Sequence, residues 1–247
     1  MYQYHEYIPD IRLILWVKNY WIADGFVNSD ILPKVFPDGC TDIIYIFDKA
    51  KGSSYTGLFG TMTRFIEVEF SESTLMFGIR FKPAGITAFT RVPVDDFTDW
   101  SVDLSLVDTL FDPSYYETLP EKQSVQEIIS HTDRYLLDRL PLLYHTEKQI
   151  IRAVDLICLA NGQVTLADVA SEVCFCQRHF ERKFKSTIGI SPKMFTRIRR
   201  FNHAMRCLKN YPSKDLLTIA VECGYYDHTH LIKDFKVFAG ETPTGFR

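Results

Sequence analysis

A run of long polar side chains between positions 177 and 185 has the chemistry that proteins use in the major groove of DNA. Arg and Gln form paired hydrogen bonds with the edges of bases, and Lys pairs with backbone phosphates. The run contains Gln177, Arg178, Glu181, Arg182 and Lys185. A second polar run, about 50 residues later, contains His228, Thr229, Lys233 and Lys236. The two runs indicate two surfaces that contact one DNA duplex.

The charge of the chain is divided unevenly between its two halves. Residues 148–247 carry 16 Lys and Arg against 9 Asp and Glu, a formal charge of +7, whereas residues 1–147 carry 12 against 22, a charge of −10. The basic half is therefore a candidate for nucleic-acid binding, and the acidic half should face away from the phosphates. The predicted phosphate contacts come from Lys185, Arg197, Arg199, Arg200 and Lys236.

Start signals of helices position the first polar run. Capping boxes predict helix starts at Thr146 and Thr165, because each Thr is followed three residues later by Gln or Asp. A third helix carries Phe180 and Phe184 four residues apart, which places both rings on its inner face and the polar run on its outer face. Two short helices with a tight connection form a helix-turn-helix unit.

The second polar run has the same kind of support. Ser191 followed by Pro192 predicts the start of a long helix, which continues to the break at residues 211–213. A short helix then ends near Gly224, and Asp227 caps the helix that carries the second polar run. The long helix therefore joins two helix-turn-helix units and can present both to successive faces of the major groove.

The first half of the chain has the pattern of a β domain. Segments 55–60, 65–70 and 75–81 are short, aromatic and β-branched, and turn residues separate them, as in a sandwich or a small barrel. Segment 42–47 is apolar on both faces, which predicts a buried strand, and a short helix is expected near Ile86–Phe89. Together with the helical second half, this pattern predicts the α+β class.

The interior of this β domain has two interpretations. It is either a filled core or a cavity that binds a small molecule, lined by residues such as Trp21, Phe36, Tyr45, Arg80 and Phe81. A metal centre in a barrel needs several His residues with a carboxylate. Residues 1–147 contain only His5, His131 and His145, and none of them lies in the strand segments. The sequence therefore predicts neither a bound metal nor a cofactor.

An amphipathic helix is expected between the two halves. From position 121 to 140 the apolar residues step by three and four, which gives one apolar stripe. The stripe either docks on its own β domain or pairs with a second copy of the chain in a homodimer. Pro141 ends the helix.

The six cysteines are expected to be small, reduced core residues. They are Cys40, Cys158, Cys174, Cys176, Cys207 and Cys223, and no two of them have the Cys-x-x-Cys spacing of zinc ribbons or redox motifs. The alternative is that the close pair Cys174 and Cys176 senses redox state or a metal.

Several motifs of residues 146–247 occur together in a fixed order. They are the segments 165–170, 178–185, 189–195, 197–201 and 219–231, followed by Phe235-Lys236, Gly240 and Thr242-Pro243. This combination resembles the DNA-binding domain of bacterial transcription regulators of the AraC/XylS type. The resemblance covers about 100 of the 247 residues. It implies two helix-turn-helix units that bind double-stranded DNA.

The resemblance also implies which residues read bases. These are Arg178, Glu181, Arg182, His228, Thr229 and Lys233. Gln177 is predicted to read bases with them, because it lies on the same outer face of its helix. Two residues differ from the family pattern: Cys176 stands where the family usually has a Ser or Thr cap, and His228 where Gln is common. In the first half, segments 37–44 and 78–83 resemble a small cupin-like domain that often precedes this DNA-binding unit. Such a domain is expected to bind an effector or to form the dimer.

These inferences predict three parts of the chain: a cupin-like sensor or oligomerisation domain at 1–120, a helix and linker at 121–145, and the DNA-binding domain at 146–247. The function expected from them is sequence-specific regulation of transcription, tuned by a small molecule or by dimerisation, without enzymatic activity. The alternative is a DNA-binding domain fused to a catalytic or alkyl-accepting domain. No secretory signal or apolar run of membrane-spanning length is present, so a cytoplasmic location is expected.

Overall fold

The computed structural model describes residues 3–25, 32–69 and 73–247. The strands lie in the first half of the chain, and most of the helices lie in the second half. The strands are β1 Gln3–Tyr7, β2 Val17–Asp24, β3 Lys34–Val35, β4 Thr41–Asp48, β5 Ser53–Phe59, β6 Ile66–Glu67, β7 Thr74–Phe81 and β8 Ser101–Asp103. The helices are α1 Pro113–Tyr116, α2 Val125–Asp138, α3 Lys148–Leu159, α4 Leu166–Glu172, α5 Gln177–Ile188, α6 Pro192–Asn210, α7 Leu216–Glu222 and α8 His228–Ala239. The expected α+β class is confirmed.

The strands form a six-stranded antiparallel sheet in the order β1-β2-β7-β4-β5-β8, and β3 pairs with β6 in a separate two-stranded sheet. The buried strand expected at 42–47 is β4, which lies between β7 and β5 and is hydrogen-bonded to both. Segment 65–70 forms only the two residues of β6, and Phe70 lies outside the described residues. The short helix expected near residue 86 is a 3-10 turn at Gly85–Ala88. A cupin-like barrel stays a prediction.

The two faces of the sheet have different roles. Side chains of successive strand residues point to opposite faces, so Tyr45, Ile79 and Phe81 face a hydrophobic core while Asp42 and Arg80 lie on the other face. The core face is covered by α2, whose Ile128, Ile129, Tyr135 and Leu136 belong to the same cluster of buried residues. The apolar stripe of residues 121–140 is therefore used within the chain. It is not free to form the homodimer contact considered as the second possibility.

The second half has its own core, which lies among α3 to α8. Phenylalanines at the helix crossings fill it: Phe180, Phe184, Phe195, Phe201, Phe235 and Phe238 are all fully buried. Three helix starts are confirmed by side-chain caps, because Thr165, Ser191 and Asp227 each accept a hydrogen bond from a backbone N–H in the first turn. None of the described helices has the length and apolar composition needed to cross a membrane.

The predicted helix start at Thr146 is wrong by one residue. Helix α3 begins at Lys148 with Glu147 in the cap position, and no side chain caps its amides. Instead, the Glu147 carboxylate accepts a hydrogen bond from Lys183 Nζ on α5, at 2.5 Å. A tertiary ion pair has replaced the local capping box there.

The two halves pack against each other through contacts at the ends of α5 and α8. The Thr61 hydroxyl donates to the carbonyl of Ile188 at 2.6 Å, and the Thr98 hydroxyl donates to the carbonyl of Gly189. Lys34 Nζ lies 3.5 Å from the carbonyl of Ala239, where α8 ends. These bonds satisfy carbonyls that a helix leaves without intrahelical partners at its C-terminus.

Candidate nucleic-acid interface

The first helix-turn-helix unit consists of α4 and α5 with a turn of four residues between them. Cys174 in this turn adopts a left-handed conformation with φ of 59°, and the amide of Phe175 donates to the carbonyl of Ala170 at 2.9 Å. Helix α5 begins after Cys176, whose side chain makes no capping hydrogen bond. A thiol is a poor acceptor compared with a hydroxyl or carboxylate, so the departure at Cys176 leaves α5 without a side-chain cap.

Helix α5 has one buried and one exposed face. Phe180 and Phe184 are fully buried, so the residues between them point outward. All four predicted base-reading residues of this helix are exposed: Gln177, Arg178, Glu181 and Arg182. Within the helix, Gln177 Nε2 donates to Glu181 Oε1 at 3.2 Å. Arg182 Nη2 donates to His179 Nδ1, also at 3.2 Å, so the polar side chains are held in a layer on the helix surface.

The second unit consists of α7 and α8. Asp227 caps α8: its Oδ1 accepts from the backbone amide of His230 at 2.8 Å and from His230 Nδ1 at 3.0 Å. The amide of His230 is the main reason why the pKa of Asp227 lies below its ordinary value. His230 therefore supports the cap at the start of α8. The three predicted base-reading residues of α8 are exposed: His228, Thr229 and Lys233.

Helix α6 connects the two units and binds the second one with two arginines. Arg197 Nη2 lies 2.7 Å from Oδ1 of the buried Asp234 on α8. Arg200 Nη1 donates to the carbonyl of Gly224 at 3.1 Å, in the turn between α7 and α8. Both guanidinium groups, predicted to bind phosphates, therefore have partners inside the domain. This geometry favours a structural role for them.

The other predicted phosphate contacts are less constrained. Lys185 and Lys236 are exposed, although Lys185 Nζ lies 3.8 Å from Asp95 Oδ2 of the first half. Arg199 is half-buried, and its Nε has no hydrogen-bond partner among the described residues. These three cations are the phosphate candidates that the geometry leaves available.

One exposed aromatic ring beside α8 is not among the residues predicted from the sequence. Tyr226 is 88% exposed in the turn just before α8, with its ring centre 6.1 Å from that of His230. An exposed aromatic ring at this position can contact sugars or thymine methyl groups. Its exposure could have been predicted from its position between Gly224 and the cap Asp227, because so short a turn cannot bury two consecutive tyrosines. Tyr225, its neighbour, is buried.

The predicted ligand pocket of the first half is wrong as a single site. Tyr45 and Phe81 lie in the core beneath the sheet, while Trp21 and Arg80 lie on the opposite face. Trp21 Nε1 donates to Asp42 at 2.7 Å, and Arg80 pairs with the same carboxylate at 3.1 Å. The fifth residue, Phe36, packs on Phe201 and Phe246 of the second half. The five residues thus belong to three places.

The only cysteine of the strand region lies in a charged but buried setting. Cys40 is 6% exposed, and its Sγ is 3.8 Å from Lys18 Nζ, a basic neighbour that is distant in sequence. Burial and the nearby Asp38 nevertheless raise the pKa of the Cys40 thiol well above its ordinary value. A buried thiol of this kind is unsuited to act as a nucleophile.

Comparison with known proteins finds two matching family models. Residues 5–103 match a domain of unknown function (DUF6597), and residues 169–247 match a helix-turn-helix domain. Among curated relatives, an uncharacterized HTH-type transcriptional regulator of Staphylococcus aureus strain MSSA476, SAS0078, is 24% identical over 149 residues, which are 58% of this chain and 19% of that protein. The HTH-type transcriptional regulator ArgR of Pseudomonas aeruginosa is 30% identical over 110 residues, covering 42% of this chain and 33% of ArgR. The chain thus spans a third or less of these relatives.

Among solved structures, the chain is similar to an AraC-type transcriptional regulator from Chromobacterium violaceum. The two are 26% identical, with a TM-score of 0.38, over 40% of this chain and 89% of the other.

Proposed function

We propose that this chain, whose C-terminal region is an AraC-type helix-turn-helix domain, is a sequence-specific DNA-binding regulator of transcription. The observation that carries the proposal is the pair of exposed polar helix faces on α5 and α8, in two helix-turn-helix units of one domain. Such faces enter the major groove, where Arg, Gln and His side chains bind base edges. The activity takes place in the cytoplasm, where the bacterial chromosome lies.

Charge supports the same function. Residues 148–247 have a formal charge of +7, whereas residues 1–147 have a charge of −10. The helical half therefore attracts the phosphate backbone, and the strand half opposes it. In this proposal Lys185, Arg199 and Lys236 bind phosphates and hold the two polar faces against the grooves.

The first half, in this proposal, adjusts DNA binding without catalysing a reaction. It contacts the ends of both α5 and α8, so an effector or a second copy that shifts the segments around Thr61 and Lys34 also shifts the two reading helices. The buried Cys40 thiol argues against the alternative of an alkyl-accepting domain. Treatment with a methylating agent followed by mass spectrometry distinguishes a regulatory first half from an alkyl-accepting one, since an alkyl acceptor gains one methyl group on Cys40.

The main test is DNA binding by the purified full-length chain. Fluorescence anisotropy with DNA from upstream of its own and neighbouring genes should find a segment that is bound at least ~1000-fold more tightly than a scrambled duplex. Equal affinity for every duplex would contradict sequence-specific regulation. Binding to no duplex would contradict the proposal altogether.

Two matched variants separate base reading from phosphate binding. Arg182→Ala should lose about 1–3 kcal/mol on the preferred sequence and much less on scrambled DNA, if Arg182 binds a guanine. Lys236→Ala should weaken both duplexes by the same factor. Equal losses for Arg182→Ala on both duplexes would remove its base-reading role.

A salt series counts the phosphate contacts. Each one contributes about −0.9 to the slope of log affinity against log salt concentration. Three available cations predict roughly a 40-fold loss of affinity between ~50 and ~200 mM salt, whereas all five predicted phosphate residues would give roughly a 500-fold loss. The steeper dependence would show that Arg197 and Arg200 leave their internal partners when DNA binds.

A further inference from the structure

Three side chains with soft ligand atoms meet where α6 crosses the end of α7. His203 and Cys207 lie one turn apart on α6, and Cys223 follows the last residue of α7. One ligand atom from each of the three lies within 4.8 Å of the other two. This His203–Cys207–Cys223 cluster lies inside the helical half, apart from the polar faces of α5 and α8.

The cluster contains a polar atom that lacks a partner. His203 Nδ1 is buried and makes no hydrogen bond to any described residue. A buried imidazole nitrogen without a partner costs free energy, and native structures rarely leave one unsatisfied. Cys223 is fully buried, and its thiol donates to the Cys207 sulfur, a weak acceptor, at 3.8 Å. A bound cation would satisfy all three groups at once.

The distance between the two sulfurs matches a shared metal ion. Two thiolates that bind Zn²⁺ at about 2.3 Å with tetrahedral angles lie about 3.8 Å apart. This value equals the observed separation of the Cys207 and Cys223 sulfurs, 3.8 Å. A disulfide would instead need the two sulfurs to approach to about 2.05 Å. The ligand atom of His203 lies within 4.8 Å of both sulfurs, on the same side of the α6–α7 crossing.

We propose that His203, Cys207 and Cys223 form a binding site for Zn²⁺. Two thiolates and one imidazole are ligands that Zn²⁺ prefers, and they exclude Mg²⁺ and Ca²⁺, which require oxygen ligands. The two thiolate charges balance the charge of the ion. Three protein ligands leave a fourth position for water, as in other zinc sites with two Cys and one His.

The position of this site gives the ion a structural consequence. Cys223 immediately precedes Gly224, whose φ of 77° begins the turn into α8. A metal held by Cys223 and by two residues of α6 fixes this turn against α6. The ion therefore stabilises the second helix-turn-helix unit more than the first.

Metal titration of the purified, reduced, full-length chain tests the proposal without DNA. Co²⁺ serves as the spectroscopic probe, because tetrahedral Co²⁺ with thiolate ligands absorbs strongly in the visible and near-ultraviolet ranges. We expect one equivalent of Co²⁺ to bind and to give this absorption, and one equivalent of Zn²⁺ to displace it. Zinc should also raise the Tm by several degrees and slow hydrogen exchange at residues 219–226.

The variants use the two half-buried ligands, since replacing the fully buried Cys223 could prevent folding. Cys207→Ala should abolish the cobalt–thiolate spectrum and the rise in Tm, and His203→Gln should weaken binding at least ~10-fold. Cys158→Ala, a half-buried cysteine on α3, is the matched control and should bind like the original chain. Circular dichroism verifies that each variant is folded.

Three results would overturn the proposal. The first is the absence of stoichiometric binding of Co²⁺ or Zn²⁺ by the reduced chain. The second is a spectrum that Cys207→Ala leaves unchanged, which would place the metal elsewhere. The third is evidence that Cys207 and Cys223 form a disulfide instead. The original chain would then bind no metal, and its mass would fall by about 2 Da on air oxidation, whereas the mass of Cys207→Ala would not change.

Discussion

The two helix-turn-helix units are similar in backbone but differ in what stabilises their reading helices. In the first unit, α5 starts without a side-chain cap, and its last carbonyls are bound by Thr61 and Thr98 of the other half. In the second unit, α8 starts with the Asp227 cap and is bound to α6 by the ion pair of Arg197 and Asp234. The start of α5 thus lacks the local cap that α8 has, and two hydroxyl groups from outside the domain bind its end, whereas the buried ion pair of α8 lies within the domain.

This difference indicates how the first half can act on DNA binding. A change in the first half reaches α5 through the hydroxyl groups of Thr61 and Thr98, which bind its C-terminal end. The corresponding contact with the second unit is Lys34, which binds the carbonyl of Ala239 and the half-exposed carboxylate of Glu241 beyond the helix end. We therefore expect perturbations of the first half to affect the first unit more strongly than the second.

The largest effect is expected from Arg197→Ala. This change leaves the carboxylate of Asp234 buried without its cation, so the free energy of unfolding should fall by about 2–3 kcal/mol. Urea denaturation measures it, and Arg178→Ala, an exposed arginine of α5, serves as control with little expected change. If Arg197→Ala lowers the free energy of unfolding no more than Arg178→Ala does, this ion pair does not hold the second unit.

The next effect tests support from outside. Thr61→Val keeps the shape of a fully buried side chain but removes the hydroxyl that binds the carbonyl of Ile188. We expect a loss of about 1–2 kcal/mol in unfolding free energy and faster hydrogen exchange near the end of α5 but not in α8. Thr244→Val controls for the substitution itself, because the Thr244 hydroxyl is exposed and pairs with that of Thr242 at 2.8 Å without reaching the other half. Equal acceleration of exchange in both helices would remove the distinction between the units.

A smaller change should make the first unit resemble the second. Cys176→Ser provides the hydroxyl cap that α5 lacks, and we expect a gain of about 0.5–1 kcal/mol in unfolding free energy. Cys174→Ser, two residues earlier in the same turn, is outside the cap position and should give no gain. Thermal unfolding of both variants measures the difference, and a gain in neither would mean that the contacts with the other half already fix the start of α5.

The smallest effect concerns the pH dependence of the second unit. The pKa of Asp227 is lowered in the folded chain, chiefly because the amide of His230 donates to its carboxylate. The cap therefore contributes its full stability above the ordinary pKa of 3.8, and this contribution is lost as the pH falls through the lower folded pKa. Asp227→Asn keeps a capping oxygen but cannot titrate, so its Tm should fall less between pH ~5 and pH ~2 than that of the original chain. If the Tm of the two proteins falls equally over this pH range, titration of Asp227 does not contribute to the stability of the second unit.

The parts of the structure that the sequence predicted depend on local interactions. Caps such as Thr165, Ser191 and Asp227 act within one helical turn, and the buried phenylalanines of α5 repeat at helical spacing, so both can be recognised along the chain. The exposed positions of the base-reading residues follow from the same periodicity.

The errors arose where distant residues decide the outcome. The five pocket residues were chosen by type, but the register of β2, β4 and β7 places Tyr45 and Arg80 on opposite faces of the sheet. Arg197 was predicted to bind phosphate because its internal partner could not be recognised from the sequence: Asp234 lies 37 positions away. Likewise, Cys207 and Cys223 are 16 positions apart, and only the crossing of α6 and α7 brings them together.

The contacts between the two halves have a consequence for the order of folding. The bonds from Thr98, Thr61, Asn202 and Lys34 join residues that are 91, 127, 165 and 205 positions apart. Closing such long loops costs entropy, which is compensated only after each half has built its own core. During synthesis the strands emerge first, whereas their partners at 188–239 emerge near the end of the chain. The surface around Thr61 and Thr98 that supports α5 thus remains uncovered for most of translation, and a chaperone that binds nascent chains would find it there.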